Sequence, residues 1–234
     1  DLIKTKLNNL NFEIEGMPTG FRRYLVKYYI FYFTKNIDLS AKSKGKHIWV
    51  EKTPIHLHYI AKIEKYIKGA KFVHIVRDGR ETIASLYNVT KKFPEAWGGE
   101  RSLHNCVKRW SKDVMISLKY LKKQNHYVLS YKDLLYFSEK ELRSLCYFFN
   151  IAFNESMLFT RDKTYNLIKE IGAEWTENAR KEINRNSSYK FFTQLNKSQQ
   201  DYVTNQLKYK NLHNIGLLLA RKKDLLRRHD FQET

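Results

Sequence analysis

The sequence predicts an α/β fold in which a parallel sheet is flanked by helices. Two short runs, Phe72 to Val76 and His126 to Ser130, have the length of strands. The first is rich in β-branched and aromatic residues, as expected of a strand buried on both faces of a parallel sheet. A segment with helical spacing follows each run, and 234 residues suffice for one α/β domain with a core.

The first run leads into a turn and a helix. Arg77 ends the run, Asp78 and Gly79 supply turn chemistry, and Arg80 to Tyr87 has helical spacing. Charge just beyond the carboxyl end of a parallel strand lies in the crevice where open α/β sheets bind ligands. Arg77 occupies that point.

Ser85 lies about two turns into the same helix. A guanidinium fork and a short hydroxyl donor suit a phosphate, so Arg77 and Ser85 together indicate an anion site. The alternative is a surface ion pair between Arg77 and Asp78, with Ser85 solvated or bonded to its own helix.

Before this unit, residues 1 to 17 read as a loose segment or short helix, and Pro18 opens a helix to about Asn36. Within it, Leu25 to Phe33 is expected to be buried, a membrane-surface role being the alternative. A basic loop is expected over Ser40 to Lys46.

His47 to Val50 is a strand candidate, and Pro54 suits the first turn of a helix over Ile55 to Lys68. Lys52 and Thr53 would lie at this strand-to-helix junction, where backbone N–H groups favour an anion. The alternative is an exposed Glu51–Lys52 pair with Thr53 as a simple N-cap.

Later segments are predicted mainly as helices. His104 to Gln124 carries a core stripe of apolar side chains at Val107, Trp110, Val114, Leu118 and Leu121. Ser138 to Phe149 reads as a helix with a Ser138–Glu141 capping box, and its final aromatics, Tyr147 to Phe149, are expected on the sheet. Beyond residue 150, helices are predicted over Glu174 to Asn184, Lys197 to Leu207 and Asn211 to Arg228.

Composition narrows the class of protein. The net charge of +19 would steer anionic partners to the surface, but the basic residues are spread along the whole chain. The sequence has no apolar run long enough to span a bilayer. Only two cysteines, Cys106 and Cys146, are present, without paired spacing or a Cys/His cluster, which indicates a reducing, cytoplasmic compartment and neither disulfide nor zinc.

Three stretches together resemble the PAPS-dependent sulfotransferases, over roughly residues 48 to 150: Glu51-Lys52-Thr53-Pro54, the strand ending in Arg77 with Ser85 eight residues on, and Tyr131-Lys132-Asp133-Leu134. The resemblance implies a P-loop nucleotide-kinase-like sulfotransferase fold. It implies that Arg77 and Ser85 bind the 3′-phosphate of PAPS and that Tyr131 touches the adenine. Lys132 departs from the family's usual glutamate.

The resemblance also assigns Lys52 to the transferred sulfuryl group, with Thr53 beside the nucleotide. His56 and Glu51 are the nearest candidates for the catalytic base. It implies no metal. A basic segment late in the chain would cover the nucleotide, its candidates being Arg180, Lys181, Arg185 and Lys190.

One family element is missing. The sequence contains no loop of the type Arg-Ser-Gly-Thr-Thr, which would cradle the 5′-phosphosulfate. We therefore expect 1–234 to be a single but N-terminally incomplete sulfotransferase-like domain, with a mainly helical portion over 150–234. The start without methionine favours truncation over loss of the loop.

The function predicted is transfer of a sulfuryl group from PAPS to a hydroxyl or amine of a glycan, lipid or small molecule. One alternative is a degenerate relative that binds anions or glycans without catalysis. A basic nucleic-acid-binding protein is less favoured, because no recognised motif is present. A nucleotide kinase would need the same absent loop.

Overall fold

The computed structural model describes residues 19–158, 189–210 and 212. The chain divides into two compact units, Asp1–Ala70 and Lys71–Thr234, which are considered separately. The single domain expected over 1–234 stays a prediction.

The first unit is helical in its described part. Helix α1 spans Thr19–Ser43, a 3-10 helix spans Pro54–Tyr59, and α2 spans Ile60–Tyr66. Helix α1 runs beyond Asn36 because Gly45, with a φ of 63°, is the first residue that reverses the chain. The expected loop over Ser40 to Lys46 therefore begins only after the helix ends.

The strand expected at His47 to Val50 is wrong. These residues have no strand partner within 19–158 and adopt an irregular path. The Trp49 indole donates to Asp38 Oδ1 at 2.7 Å, and Val50 is 85% exposed. A β-prone run becomes a strand only where a neighbouring strand supplies ladder hydrogen bonds.

The burial expected for Leu25 to Phe33 is also not found. Phe31 and Tyr32 are more than half exposed, and Tyr28 and Tyr32 stack on each other on the helix surface at 6.1 Å between ring centroids. No helix among the described residues is both long and apolar enough to cross a membrane.

The second unit contains the sheet. Strands β1, Phe72–Val76, and β2, His126–Ser130, have the predicted bounds and pair in parallel, Phe72 opposite His126 and Val76 opposite Ser130. Between them lie α3 (Gly79–Lys92), α4 (Pro94–Trp97) and α5 (Leu103–Lys119), and after them α6 (Tyr131–Tyr136), α7 (Ser138–Phe149), a 3-10 helix (Glu155–Leu158), α8 (Tyr189–Gln194) and α9 (Lys197–Tyr209).

The core lies on one face of the sheet, among α3, α5, α8 and α9. The predicted stripe on α5 is confirmed, because Val107, Trp110 and Val114 are buried and Leu118 packs against them. The predicted helix over Lys197 to Leu207 is confirmed as α9, which begins with a capping box at Asn196 and Gln199. The helices predicted over Glu174 to Asn184 and Asn211 to Arg228 lie outside the described residues, apart from Leu212, which is buried in the core.

Burial of β1 on both faces is wrong. His74 and Val76 are buried toward α5, but Ile75, on the other face, is 59% exposed. Strand β2 is covered on both sides, since α7 packs on it and Leu129 is fully buried. The two strands differ because α7 covers β2 and no described element packs over Ile75.

The capping box predicted for α7 is wrong, although the helix bounds are right. Phe137 is the N-cap, and the Ser138 hydroxyl donates to the Leu134 carbonyl at 2.7 Å, because a single residue separates α6 from α7. Glu141 is buried and accepts from the Tyr127 hydroxyl at 3.1 Å. The C-terminal aromatics divide: Phe148 lies 5.6 Å from the Tyr127 ring, whereas Tyr147 is 90% exposed.

Gly79 lets α3 approach α5 closely. A Cβ at this position would lie 2.8 Å from two ring carbons of Trp110, which is buried in the core and cannot swing away. The first residue of α3 is therefore a glycine for lack of space, not for backbone conformation.

We expect Gly79→Ala to destabilise the protein by about 1–3 kcal/mol through overpacking, lowering the thermal midpoint by about 3–10 °C. The measurement is thermal unfolding of Gly79→Ala, Trp110→Phe and the double variant. Because phenylalanine lacks the benzo ring that the new methyl would meet, the double variant should lose less than the sum of the single losses. Strictly additive losses would contradict the steric explanation.

Two histidines join the strands within the core. The Ser117 hydroxyl donates to the Asp113 carbonyl at 3.2 Å, so it accepts from His74 Nδ1–H at 3.1 Å. His74 Nε2 is then an acceptor for His126 Nδ1–H at 2.8 Å. Burial, with a smaller contribution from His126, lowers the pKa of His74 from 6.5 to about 4.

This pKa predicts an acid-sensitive core. The unfolded chain binds a proton at His74 below pH 6.5 and the folded chain only below about 4. The contribution of neutral His74 to the free energy of unfolding is therefore complete above pH 6.5. As the pH falls toward 4, the free energy of unfolding decreases by about 3 kcal/mol at most. Denaturant unfolding from pH 7.5 to 4 should show a shallower decline in His74→Gln than in the native sequence. The exposed His47→Gln is the control; equal declines in all three would refute the assignment.

Candidate functional site

The strand register brings Arg77 and Tyr131 together. Val76 and Ser130 are the last paired residues of β1 and β2, so the residues that follow them emerge side by side at the carboxyl edge of the sheet. The Arg77 guanidinium carbon lies 4.8 Å from the centre of the Tyr131 ring. This is a cation–π contact within the usual range.

Asp78 is not the partner of Arg77. It is the N-cap of α3, where its carboxylate accepts from the Arg80 backbone N–H at 2.9 Å and pairs with the Arg80 guanidinium at 3.3 Å. The partner of Arg77 is Glu81, whose Oε2 lies 3.7 Å from the guanidinium. The sequence suggested an ion pair between Arg77 and Asp78, and the structure instead pairs Arg77 with Glu81.

Arg77 keeps donor capacity. Its side chain is 34% exposed, and its Nε is buried without a hydrogen-bond partner among the described residues. The guanidinium stands beside the amino-terminal end of α3, where the helix dipole also favours an anion. A buried donor without a partner calls for an explanation, and a bound anion or water is one that fits this position.

Ser85 lies on α3, the helix that carries Glu81 in its first turn. The two residues are four apart on α3, so they share one face of the helix, and Ser85 is half-buried there. Because Glu81 contacts Arg77, Ser85 is placed one turn further along the same face. The anion site predicted between Arg77 and Ser85 stays a prediction.

A second cluster lies in the first unit. The Glu51 carboxylate accepts from the Thr53 hydroxyl through Oε1 and contacts His56 Nδ1 at 2.7 Å through Oε2. Thr53 occupies the N-cap position of the Pro54–Tyr59 helix but makes no side-chain capping bond. Lys52 is exposed.

The structure therefore groups the predicted residues into two sets. Arg77, Tyr131 and the helix that carries Ser85 belong to the second unit, and Glu51, Thr53 and His56 form a hydrogen-bonded set in the first. Of the four late basic candidates, Lys190 lies on α8, and Arg180, Lys181 and Arg185 lie outside the described residues. Within the described ranges, no group of three His, Cys, Asp or Glu side chains has the arrangement of a metal site.

Sequence reasoning missed Glu81. Its carboxylate is 3% exposed and accepts from the Phe191 backbone N–H at 3.0 Å. The Arg77-to-Glu81 spacing of four residues was the available signal, but such pairs are usually exposed and carry little weight. The contact with Phe191 spans 110 residues and has no local signal.

Comparison with known proteins identifies relatives. A family model described as "Sulfotransferase family" matches residues 21–155, a range that includes all seven predicted site residues. The chain is 28% identical over 109 residues to "Protein-tyrosine sulfotransferase 1" of Danio rerio, an alignment that covers 46% of the chain and 30% of that relative. The chain thus matches about a third of the length of this curated relative.

A solved structure shares the fold. The "Sulfotransferase Domain from the Curacin Biosynthetic Pathway" superposes with a TM-score of 0.57 at 18% identity, covering 84% of this chain and 76% of that one. The mixed α/β architecture with a parallel sheet is accordingly that of a sulfotransferase domain, as the sequence predicted.

Proposed function

The chain belongs to the sulfotransferase family, and from that premise we propose that it transfers a sulfuryl group from PAPS to a hydroxyl or amine of an acceptor. The observation that supports the proposal most strongly is the set of contacts that the Arg77 side chain makes. Its guanidinium is held between the Tyr131 ring and the Glu81 carboxylate at the carboxyl edge of the sheet, with a buried Nε that lacks a partner among the described residues.

This environment fits a phosphate. The Glu81 carboxylate lies 3.7 Å from one terminal nitrogen, an ion-pair distance beyond hydrogen-bond range, so the guanidinium keeps N–H donors for a phosphate. The Ser85 hydroxyl, on the adjoining helix, adds a neutral donor. In the proposed complex these groups bind the 3′-phosphate of PAPS, and Tyr131 contacts the adenine with the part of its ring that Arg77 leaves free.

The chain's part in sulfuryl transfer is to position and to stabilise charge. PAPS supplies the sulfuryl group when bound. The exposed ammonium of Lys52 is assigned to the oxygens that gain charge as the sulfur–oxygen bond breaks, and Thr53 to the nucleotide side of the same site. The Glu51–Thr53 hydrogen bond fixes the backbone on either side of Lys52.

The Glu51–His56 pair is the proposed base. With Nδ1–H donating to Glu51 at 2.7 Å, the imidazole presents Nε2 as the proton acceptor. A carboxylate behind a histidine fixes the tautomer and stabilises the cation that forms when the acceptor's proton is taken. Glu51 is then a positioning residue for His56.

The names of the relatives suggest where to look for an acceptor. A tyrosine sulfotransferase acts on a phenolic hydroxyl, so a tyrosine-containing peptide is the first acceptor to assay, before glycan, lipid and small-molecule alcohols and amines. The separate, unpaired Cys106 and Cys146 support a reducing, cytoplasmic compartment.

A specific nucleotide site predicts a ligand-dependent rise in stability. Adenosine 3′,5′-bisphosphate at about 100 times its dissociation constant should add about 2.7 kcal/mol and raise the thermal midpoint by about 5–10 °C. AMP, which lacks the 3′-phosphate, should give little shift. Arg77→Ala should abolish the shift.

Arg143→Ala is the matched control. Arg143 also pairs with a glutamate four residues away, Glu139, and stacks on a ring, Phe153, at 4.1 Å, but it lies on α7. Its loss should leave the bisphosphate shift unchanged. A cooperatively folded native chain with no shift would contradict the nucleotide site. A shift without any sulfuryl transfer would favour the non-catalytic, anion-binding alternative.

The proposed base predicts a selective loss of turnover. His56→Ala should lower kcat by about 10²- to 10⁴-fold, with the affinity for the bisphosphate unchanged. Glu51→Gln should lower kcat less, because the imidazole keeps its place but loses the carboxylate that orients it. The measurement is steady-state transfer from PAPS across pH 5–9, with the exposed His47→Ala as control. Unchanged kcat in His56→Ala would rule out this base.

A further inference from the structure

Glu81 is a buried acid whose two carboxylate oxygens contact two different parts of the fold. Its side chain is 3% exposed on the first turn of α3, among core residues that include the neighbouring Ile83 and Ala84. A carboxylate in such surroundings must be compensated by hydrogen bonds or an opposite charge, since desolvating it alone is costly. Both compensating groups are present.

The two carboxylate oxygens serve different parts of the fold. Oε1 accepts from the backbone N–H of Phe191 on α8 at 3.0 Å, and Oε2 lies 3.7 Å from the guanidinium of Arg77 at the end of β1. One side chain thus ties the strand-end arginine to a helix 110 residues away.

The Phe191 end of this link is firm. The Phe191 ring is 3% exposed within the core, and the Arg80 guanidinium lies over it at 6.0 Å. Helix α8 packs on α3, and the hydrogen bond from the Phe191 N–H joins it to Glu81. Glu81 is therefore fixed by α8, and it presents the second oxygen in a set direction.

The Arg77 end is the adjustable one. The Arg77 side chain is 34% exposed and has many rotamers, and besides Glu81 the contact that the described residues show for its guanidinium is the Tyr131 ring. A ring face allows the guanidinium to slide and rotate in its plane, whereas the charge of a carboxylate beside one terminal nitrogen favours a single rotation. The ion pair with Glu81 engages that terminal nitrogen, and Nε has no hydrogen-bond partner among the described residues.

We propose that Glu81 is a positioning residue of the nucleotide site, which orients Arg77 for a 3′-phosphate and anchors α8 against the same strand end. The proposal rests on the nucleotide site proposed above. It predicts that loss of the Glu81 carboxylate weakens nucleotide binding, which is the opposite of what the net charge alone would predict. Removing a carboxylate near an anion site should strengthen binding by Coulomb's law. Removing the restraint on Arg77 should weaken it.

The restraint should prevail because of the geometry. In the proposed complex Arg77 lies between Glu81 and the phosphate, so the two anions are separated by the width of a guanidinium that carries the opposite charge. Orientation of the fork, by contrast, acts on both hydrogen bonds to the phosphate at once.

Glu81→Gln separates the two duties. The amide oxygen of glutamine can still accept from the Phe191 N–H, but the charge that holds Arg77 is lost. Titration calorimetry with adenosine 3′,5′-bisphosphate at 0.15 M salt should show about 5- to 10-fold weaker binding for Glu81→Gln. Glu139→Gln, which removes the acid of the exposed Glu139–Arg143 pair, is the matched control and should bind as the native chain does.

A double-mutant cycle with Arg77→Lys tests whether Glu81 acts through Arg77. Lysine keeps the charge but has no fork to orient, so adding Glu81→Gln to Arg77→Lys should weaken binding by less than about twofold further. A merely structural role would give multiplicative losses. Multiplicative losses, unchanged binding or tighter binding in Glu81→Gln each overturn the proposal.

The anchoring of α8 by Glu81 can be measured without any ligand, by hydrogen exchange of the peptide that covers Tyr189–Gln194. Exchange should rise about tenfold or more in Glu81→Ala and stay within about threefold of native in Glu81→Gln. Equal exchange in both would remove the anchoring role. A native chain that fails to bind the bisphosphate overturns the nucleotide site, and this proposal with it. That result differs from a native chain that binds while Glu81→Gln binds equally well.

Discussion

The parallel pairing of β1 with β2 is the constraint on which the rest of the second unit depends. Five residue pairs in one register end at Val76 and Ser130, so the two chains leave the sheet together. Because side chains alternate along a strand, a slip of one residue would exchange the buried His74 and Val76 for the exposed Val73 and Ile75. It would also separate Arg77 from Tyr131. The hydrogen bond between His74 and His126 reinforces the same register from within the core.

Helix α3 places Glu81 and Ser85 next to the end of β1. It begins two residues after Arg77, held by the Asp78 cap, and Gly79 allows it to lie directly on Trp110. This close approach places Glu81 at the edge of the core, where one carboxylate oxygen accepts from the Phe191 N–H and the other faces Arg77. The position of Glu81 beside Arg77 thus depends on the packing of Gly79 against Trp110.

The first unit is organised differently. Outside its helices, the stretch before Pro54 is held by side chains: Trp49 donates to Asp38, and Glu51 binds both Thr53 and His56. A single carboxylate therefore fixes the conformation around Lys52 without a strand. The strand prediction failed here, yet three of the predicted site residues, Glu51, Thr53 and His56, are joined by hydrogen bonds. Short-range hydrogen bonds can replace a ladder over a few residues.

By itself the sequence determined the elements that local physics controls. The bounds of β1 and β2 followed from apolar runs and turn residues, the α5 stripe from its three- and four-residue spacing, and the placement of Arg77 at a strand end from the change of pattern after Val76. These signals lie within a few residues of the feature they predict.

Only the tertiary structure decided which groups meet across the chain. In the structure Arg77 pairs with Glu81, and Asp78 pairs with Arg80. Ile75 is exposed, and the Ser138 hydroxyl donates to a carbonyl of α6. Each outcome depends on which element packs against which. Glu81 is the clearest case: its spacing suggests an ordinary surface pair, and only the approach of Phe191, 110 residues away, makes it a buried link. Long-range packing leaves no trace in local periodicity, so it has to be observed.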